Sequence, residues 1–217
     1  MFLGHFAMGL AAKGVGRRVP LGLLMMAALA SDLLWPALLL LGIERMSVVP
    51  GTTRLSPLHF EHYPYSHSLL ASALMGALIA LAYYVSRRDR AGALALLAAG
   101  VTHWLLDVLS HAPDMPIAPW MEARLGLGLW NSLYGTLMVE GGLFVASIAI
   151  YLRVTRALDR LGTHALWTYI LALAAIYASS LFGPPPPDDA KMIAAVGLST
   201  WLLIAWAWWA DRHRALE

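Results

Sequence analysis

Six long apolar runs constrain what this chain can fold into more than any other feature of its sequence. They cover residues 19–43, 66–85, 91–111, 127–152, 164–182 and 192–210. A helix needs about 20 apolar residues to cross a bilayer, and each run meets or approaches that length. In hydrocarbon, a helix satisfies its own backbone N–H and C=O groups. The runs therefore predict an all-α, polytopic membrane helix bundle with about six transmembrane helices.

The composition agrees with this class of protein and argues against others. Of the 217 residues, 59% are hydrophobic and 13% are charged, whereas about a quarter of the residues in a soluble domain are charged. The net charge of +2 is too small to indicate a nucleic-acid partner. Membrane lipids are the expected surroundings. Because no shift in composition divides the chain, we expect a single integral-membrane helical domain over residues 1–217.

Residues 1–12 form a shorter apolar segment ahead of the six runs. The segment is too short to cross a bilayer. The sequence predicts a short N-terminal helix here, either lying in the membrane interface or half inserted.

The basic residues predict an orientation, because cytoplasmic loops carry an excess of Lys and Arg. The segments assigned to the cytoplasm contain Lys13, Arg17, Arg18, Arg87, Arg88, Arg90, Arg153, Arg156, Arg160, Arg212 and Arg214. The segments assigned to the outer side contain Arg45, Arg54, Arg124 and Lys191. This asymmetry predicts that both termini are cytoplasmic. It also predicts that the loop of residues 44–65 is on the outer side.

The third apolar run contains ionisable side chains at a regular spacing. His103, Asp107 and His111 recur every four residues, which on an α-helix puts all three on one face. Ionisable groups are costly in hydrocarbon and usually mark a functional site. This face is the first candidate for such a site.

Four further ionisable residues, on other helices, are expected within the membrane near this face. With a rise of about 1.5 Å per residue, Asp32, His103 and Glu140 are each about 20 Å from the cytoplasmic end of their helices. By the same count, His67 lies near the outer boundary, and His5 lies deeper if residues 1–12 run down to the cytoplasmic side. Buried carboxylates require a compensating charge. A shared divalent cation supplies it.

The residue types restrict which metal could be bound. The chain contains no cysteine, so the ligands must be His, Asp, Glu, backbone oxygen or water. Imidazole and carboxylate together suit zinc, with manganese or iron as alternatives.

Four stretches carry a resemblance to a known family. They are GHFAMG at residues 4–9, Asp32, HYPYSHSLL at residues 62–70 and HWLLD at residues 103–107. In these stretches the chain resembles the bacterial membrane-bound, metal-dependent hydrolases of the inner membrane. Their motif pattern is in turn similar to that of zinc-dependent phospholipases C and related single-strand nucleases, which are all-helical. The resemblance covers roughly the first 140 residues.

The resemblance implies a set of metal ligands and a metal number. The implied ligands are His5, Asp32, His67, His103, Asp107, His111 and Glu140. Two positions depart from the soluble enzymes. Thr136 stands where they carry a His four residues before the Glu, and an intact Met1 is not their processed N-terminus. The soluble enzymes hold two or three zinc ions. Because of the two departures, one or two ions, most simply zinc, are expected in this chain.

The expected function is metal-dependent hydrolysis at the outer face of the bacterial inner membrane. Metal would activate a water molecule, and Asp32 or Asp107 would bridge two ions or accept the proton of the water. Glu61 and His62, with Arg54, would bind or protonate the leaving group. The resemblance implies a phosphoester substrate, and a site at the membrane boundary suits a lipid or lipid-linked one.

Other interpretations remain open from the sequence. The same groups would also form a relay in a proton or metal-ion transporter, or hold a metal that only stabilises the bundle. At single residues, His103 and Asp107 could be a hydrogen-bonded pair between helices, and Ser66 beside His67 could cap a helix. The remaining alternatives are that Glu140 marks a helix contact, that His111 caps its own helix, and that His59 and His62 are solvated.

Overall fold

The protein is a bundle of α-helices with three small two-stranded sheets between them. The computed structural model describes residues 1–217. The helices are α1 Phe2–Ala12, α2 Leu21–Ala28, α3 Ala30–Leu40, α4 Pro64–His67, α5 Leu69–Arg87, α6 Arg90–Ser110, α7 Leu133–Val154, α8 Arg160–Phe182, α9 Ala190–Leu198 and α10 Thr200–Arg212. The strands are β1 Arg45–Val48, β2 Leu58–His62, β3 Met115–Pro116, β4 Arg124–Leu125, β5 Thr155–Ala157 and β6 Arg214–Leu216, and a 3₁₀ turn covers Leu129–Asn131.

Five helical segments are long and apolar enough to cross a membrane. They are α5, α6, α7, α8 and the combined segment of α9 and α10, Ala190–Arg212. Helices α2 and α3 form a sixth candidate span that bends by 57° at its break. The prediction of an all-α, polytopic membrane bundle with about six spans is confirmed.

The first span, predicted over residues 19–43 with interruptions at Asp32 and Pro36, breaks at Leu29 instead. Helix α2 ends at Ala28 and α3 begins at Ala30, with Leu29 between them at φ −111° and ψ 12°. Pro36, the residue whose ring would disfavour a helix, remains inside α3. The break leaves the carbonyl oxygen of Ala28 free to accept a hydrogen bond from another helix.

Helix α1 lies inside the bundle, so the alternative of a helix lying in the membrane interface is wrong. The alternative of a half-inserted helix agrees with its course from Lys13, which is paired with Asp211, to Met1, which lies beside Asp107. Leu3, Phe6 and Leu10 are buried in the largest apolar cluster, together with residues of α2, α7, α8 and α10. A helix that is apolar on all sides gains more from a position inside a protein than from one at its surface. Close approach to α2 depends on Gly9, where a Cβ atom would lie 3.2 Å from the Cα of Met25.

The two ends of the bundle differ in what they carry. One end, the hairpin end, holds the antiparallel pairs β1–β2 and β3–β4. The other end, the arginine end, holds the β5–β6 pair and the turn between α5 and α6. At the arginine end, Lys13 forms a buried ion pair of 2.8 Å with Asp211, and the Tyr151 hydroxyl donates to the same carboxylate.

Candidate metal centre

Five ionisable side chains from four helices converge in the interior of the bundle. They form two groups, His5–His103–Asp107 and Asp32–His67–His103, and the ligand atoms of each group lie within 4.8 Å of one another. His103 belongs to both groups. The sequence therefore identified residues that meet in space, although they are up to 102 positions apart along the chain.

The distances in the cluster match those between ligands of one metal ion. Asp107 lies 3.0 Å from Nε2 of His5 and 3.1 Å from Nε2 of His103, measured to its two carboxylate oxygens. Asp32 Oδ1 lies 3.3 Å from His67 Nε2 and 3.9 Å from His103 Nε2. Ligands held about 2.0–2.1 Å from a tetrahedral zinc ion are about 3.3 Å apart. Three of the four distances are close to that value, and the fourth, between Asp32 and His103, is longer.

His103 is oriented by the bend between α2 and α3. Its Nδ1 donates a 2.8 Å hydrogen bond to the carbonyl oxygen of Ala28, which the break has left free. In the neutral ring, Nε2 then carries the lone pair. This atom is buried and has no hydrogen-bond partner, although Asp107 is close. A buried lone pair that has no hydrogen-bond partner and lies beside carboxylates fits a metal ligand better than a hydrogen-bonded His–Asp pair.

His67 is oriented by a buried chain of hydrogen bonds that the sequence did not reveal. Ser66 Oγ donates to the Glu44 carboxylate over 2.5 Å and lies 2.7 Å from His67 Nδ1. Because its single proton is used on Glu44, Ser66 accepts the hydrogen bond from Nδ1. His67 Nε2 is therefore free to face Asp32. Such outer partners fix the ring orientation of metal-binding histidines.

Ser68, and not Ser66, caps helix α5. The N-cap of α5 is Ser68, whose side chain accepts from the backbone N–H of Ala71. Ser66 therefore does not cap the helix, and that interpretation is wrong.

Glu44 is fully buried and also accepts from the N–H groups of Tyr65 and Ser66. A carboxylate directly after an apolar run was the available sequence signal for its role.

His5 reaches the cluster because α1 is inside the bundle. Its ring stacks on that of His103 with centroids 3.7 Å apart and planes within 10° of parallel. The Met1 backbone nitrogen lies 2.6 Å from Asp107 Oδ1 and 3.0 Å from His5 Nε2. The start of α1 is thus part of this site, although an intact Met1 is not the processed N-terminus of the soluble enzymes.

The cluster is accessible from one side only. The side chain of Asp32 is 36% exposed, whereas those of His5, His67, His103 and Asp107 are 6% exposed or less. Asp32 is therefore the candidate ligand that a water molecule can approach. Asp107 is enclosed between imidazole rings and the start of α1.

Glu140 and His111 lie next to the cluster without entering either ligand group. Glu140 is buried and accepts a 3.3 Å hydrogen bond from the backbone N–H of Gly4, one of the N–H groups left free at the start of a helix. His111 Nε2 is 3.9 Å from Asp107, and its Nδ1 is 3.1 Å from Asp114. In this arrangement Glu140 holds the start of α1, and His111 lies between Asp107 and Asp114.

Glu61 and His62 lie on β2, away from the buried cluster, in a polar cavity at the hairpin end. The cavity has a volume of about 250 Å³ and is lined by His59, Phe60, Glu61, His62, Tyr63, Pro64, Pro113, Asp114, Pro116 and Arg124. Arg54 is exposed on the β1–β2 loop and is not among the lining residues. We call this cavity the vestibule.

Tyr63 connects the vestibule with the buried cluster. Its hydroxyl donates to Asp114 over 2.7 Å, and its ring centroid lies 5.4 Å from that of His67 and 6.3 Å from that of His111. Burial, together with the Asp114 carboxylate, raises the pKa of the Tyr63 hydroxyl above its usual range. The hydroxyl therefore remains a hydrogen-bond donor at any physiological pH. Neither Tyr63 nor Asp114 was predicted from the sequence.

The composition of the cluster suits a divalent cation. Three imidazoles and two carboxylates provide nitrogen and oxygen ligands of the kind that zinc binds. Comparison with protein-family models, with curated proteins and with solved structures finds no match to this chain.

Proposed function

We propose that this chain is a metal-dependent hydrolase embedded in a bacterial inner membrane. It would hold one or two divalent ions, zinc in the first place, through His5, Asp32, His67, His103 and Asp107. The observation that carries the proposal is the convergence of two ligand groups on His103, whose buried Nε2 has no other partner. Manganese or iron would also fit an imidazole and carboxylate site.

A metal ion bound there would lower the pKa of a water ligand to about 7 and polarise the bond to be cleaved. The residues of the chain would do the rest. Asp32 is the accessible carboxylate of the cluster and is the better candidate to accept a proton from the attacking water. Asp107 is enclosed and would hold His5 and His103 in place.

The vestibule supports a phosphoester substrate. His59, His62 and Arg124 line it and offer N–H donors of the kind that bind phosphate oxygens, while Glu61 could exchange a proton with a leaving group. Its place at the hairpin end brings it to the water boundary of the spans. A lipid or lipid-linked phosphoester, with its head group in the vestibule, is the substrate class that we propose.

The distribution of arginines supports a periplasmic opening. The arginine end carries most of the basic loop residues, and such loops lie in the cytoplasm. The termini would then be cytoplasmic and the hairpin end would face the periplasm.

Metal content and hydrolysis, measured together, test this proposal. Purified wild-type protein should contain one or two equivalents of zinc or manganese by elemental analysis, and should hydrolyse bis(p-nitrophenyl) phosphate or a fluorogenic phospholipid. His103→Ala should lose both properties. His164→Ala is the control, because His164 is exposed and bonds only to its own helix.

The outcomes distinguish the proposal from its alternatives. Metal without hydrolysis of any phosphoester in a broad panel would favour a structural metal. Metal flux in proteoliposomes without hydrolysis would favour transport. Protein that contains no stoichiometric metal would contradict the proposal.

A further inference from the structure

A second, larger cavity lies at the arginine end, on the outside of the bundle, and shares no lining residue with the metal cluster or the vestibule. It is an open groove of about 520 Å³ between α2, α5 and α10, lined by Pro20, Leu23, Met26, Leu78, Ile79, Ala82, Tyr83, Ser86, Arg87 and Trp208. Most of these side chains are apolar. The polar ones, Tyr83, Ser86 and Arg87, are close together at the end of α5.

The groove is built into the packing of the helices. Trp208 of α10 lies directly on Gly22 of α2, where a Cβ atom would come within 2.6 Å of the indole. On the other wall, Tyr83 packs against Gly92, and its hydroxyl donates to Asp89 over 3.1 Å. Because the two glycines have no side chain, Trp208 and Tyr83 lie close to the backbones of α2 and α6. The groove between these two aromatic side chains remains open.

The apolar part of the groove faces the lipid. Leu78 and Leu81, which lie on the same helix, are 66% and 58% exposed, and α5 is one of the membrane-spanning helices. From Leu78 to Arg87 the helix rises about 13 Å. The groove thus runs from within the hydrocarbon to the membrane surface, as an acyl chain does.

The end of the groove at the membrane surface is positively charged. Arg87 is an exposed lining residue, and Arg17, Arg18, Arg88 and Arg90 lie in the neighbouring turns. The carboxylate of Asp89 is already used by Tyr83 and by the N–H of Gly92. The local charge therefore favours an anionic group, and a guanidinium binds phosphate with two parallel hydrogen bonds.

We propose that this groove is a binding site for one anionic phospholipid. An acyl chain would lie against Leu23, Met26 and Leu78, and the phosphate would be bound by Arg87 and the Ser86 hydroxyl. Charge complementarity decides between lipids, because a zwitterionic head group would place a second cation among the arginines. The proposal does not depend on the hydrolase activity.

Native mass spectrometry of the purified protein tests the proposal. Detergent-solubilised wild type is titrated with phosphatidylglycerol and, separately, with phosphatidylcholine of the same acyl chains. We expect one phosphatidylglycerol molecule to bind at least about tenfold more tightly than phosphatidylcholine. Arg87→Gln should remove most of this preference, and Ala82→Trp, which fills the groove, should reduce the binding of both lipids.

Two controls make the outcome decisive. Arg153→Gln removes an exposed arginine from the end of α7, at the same end of the bundle but outside the groove, and should leave the preference unchanged. The metal content of all variants should equal that of wild type, which separates this test from that of the proposed function. Equal affinity for the two lipids, or an equal loss in Arg153→Gln and Arg87→Gln, would overturn the proposal.

Discussion

The Nδ1 atom of His103 donates a 2.8 Å hydrogen bond to the carbonyl oxygen of Ala28. That oxygen is available because the first span breaks at Leu29, between α2 and α3. The bend of the first span therefore also sets the orientation of the His103 ring. With Nδ1 occupied, Nε2 carries the lone pair and lies 3.1 Å from Asp107 and 3.9 Å from Asp32.

His103 should be the least replaceable of the three histidines in the cluster. It belongs to both ligand groups, whereas His5 and His67 belong to one each. We expect His103→Ala to retain less than about a tenth of the wild-type metal, because a missing ligand or its support lowers affinity by at least 10–100-fold. His5→Ala and His67→Ala should each retain more. Elemental analysis after dialysis measures this order, and the opposite order would contradict the shared role of His103.

The chain from Glu44 through Ser66 to His67 should affect metal affinity. Glu44→Gln and Ser66→Ala should each weaken binding of the metal about 10–100-fold, as expected for partners that orient a ligand. A competition titration with a chromogenic chelator measures the change. A merely structural role would leave the affinity unchanged.

Ser68→Ala is the matched control for that prediction. Ser68 is two residues away and caps α5 through the N–H of Ala71. Its loss should cost about 1 kcal/mol of stability, seen as a lower thermal midpoint, while the metal affinity stays at the wild-type value. A loss of affinity equal to that of Ser66→Ala would show that the whole segment, and not the hydrogen-bond chain, is responsible.

Substitutions of Asp32 and of Asp107 should differ in their effects on hydrolysis and on thermal stability. The Asp32 side chain is 36% exposed and that of Asp107 is 2% exposed. Asp32→Asn should fold with a nearly unchanged thermal midpoint and lose hydrolysis. Asp107→Asn should also lower the midpoint, because a buried group bonded to several partners is expensive to disturb. Thermal unfolding followed by tryptophan fluorescence, together with phosphodiesterase assays, tests both expectations. Equal destabilisation of the two variants would contradict the difference in their roles.

Gly9 should control the position of His5. A Cβ atom on Gly9 would lie 3.2 Å from the Met25 Cα atom and closer still to its sulfur, whereas a Cβ atom on Gly142 would meet nothing within 4 Å. Gly9→Val should therefore push α1 away from α2, at a cost of about 1–3 kcal/mol, and lower the metal content. Gly142→Val should change neither. Unchanged metal binding in Gly9→Val would show that α1 does not need its close packing to place His5.

Much of the fold follows from the sequence, because spans are set by the length of apolar runs. The break at Leu29 does not, since Leu and Ala favour helix and the nearby Pro36 offered a more obvious site for a kink. The burial of α1 had a sequence signal, namely apolar residues on every face. Its length alone suggested a helix that lies in the interface or is half inserted.

The cluster was predictable in part. The spacing of His103 and Asp107 placed them on one face, and a depth count brought Asp32 to their level. The depth of a residue in the membrane does not fix the direction of its side chain, however. Glu140 lies at a similar depth, but its carboxylate accepts the N–H of Gly4, because the start of α1 offers unpaired donors there. Contacts of this kind depend on tertiary packing and leave no pattern in the sequence.

A metal-resolved structure tests the central claim most directly. Crystals of the wild-type protein, measured on both sides of the zinc absorption edge, should show anomalous density for one or two ions. One position lies between His5, His103 and Asp107, and the other between Asp32, His67 and His103. Either position occupied, with His103 as a ligand, is the result we predict. Stoichiometric zinc in the solution with no anomalous density at His103 would contradict the account.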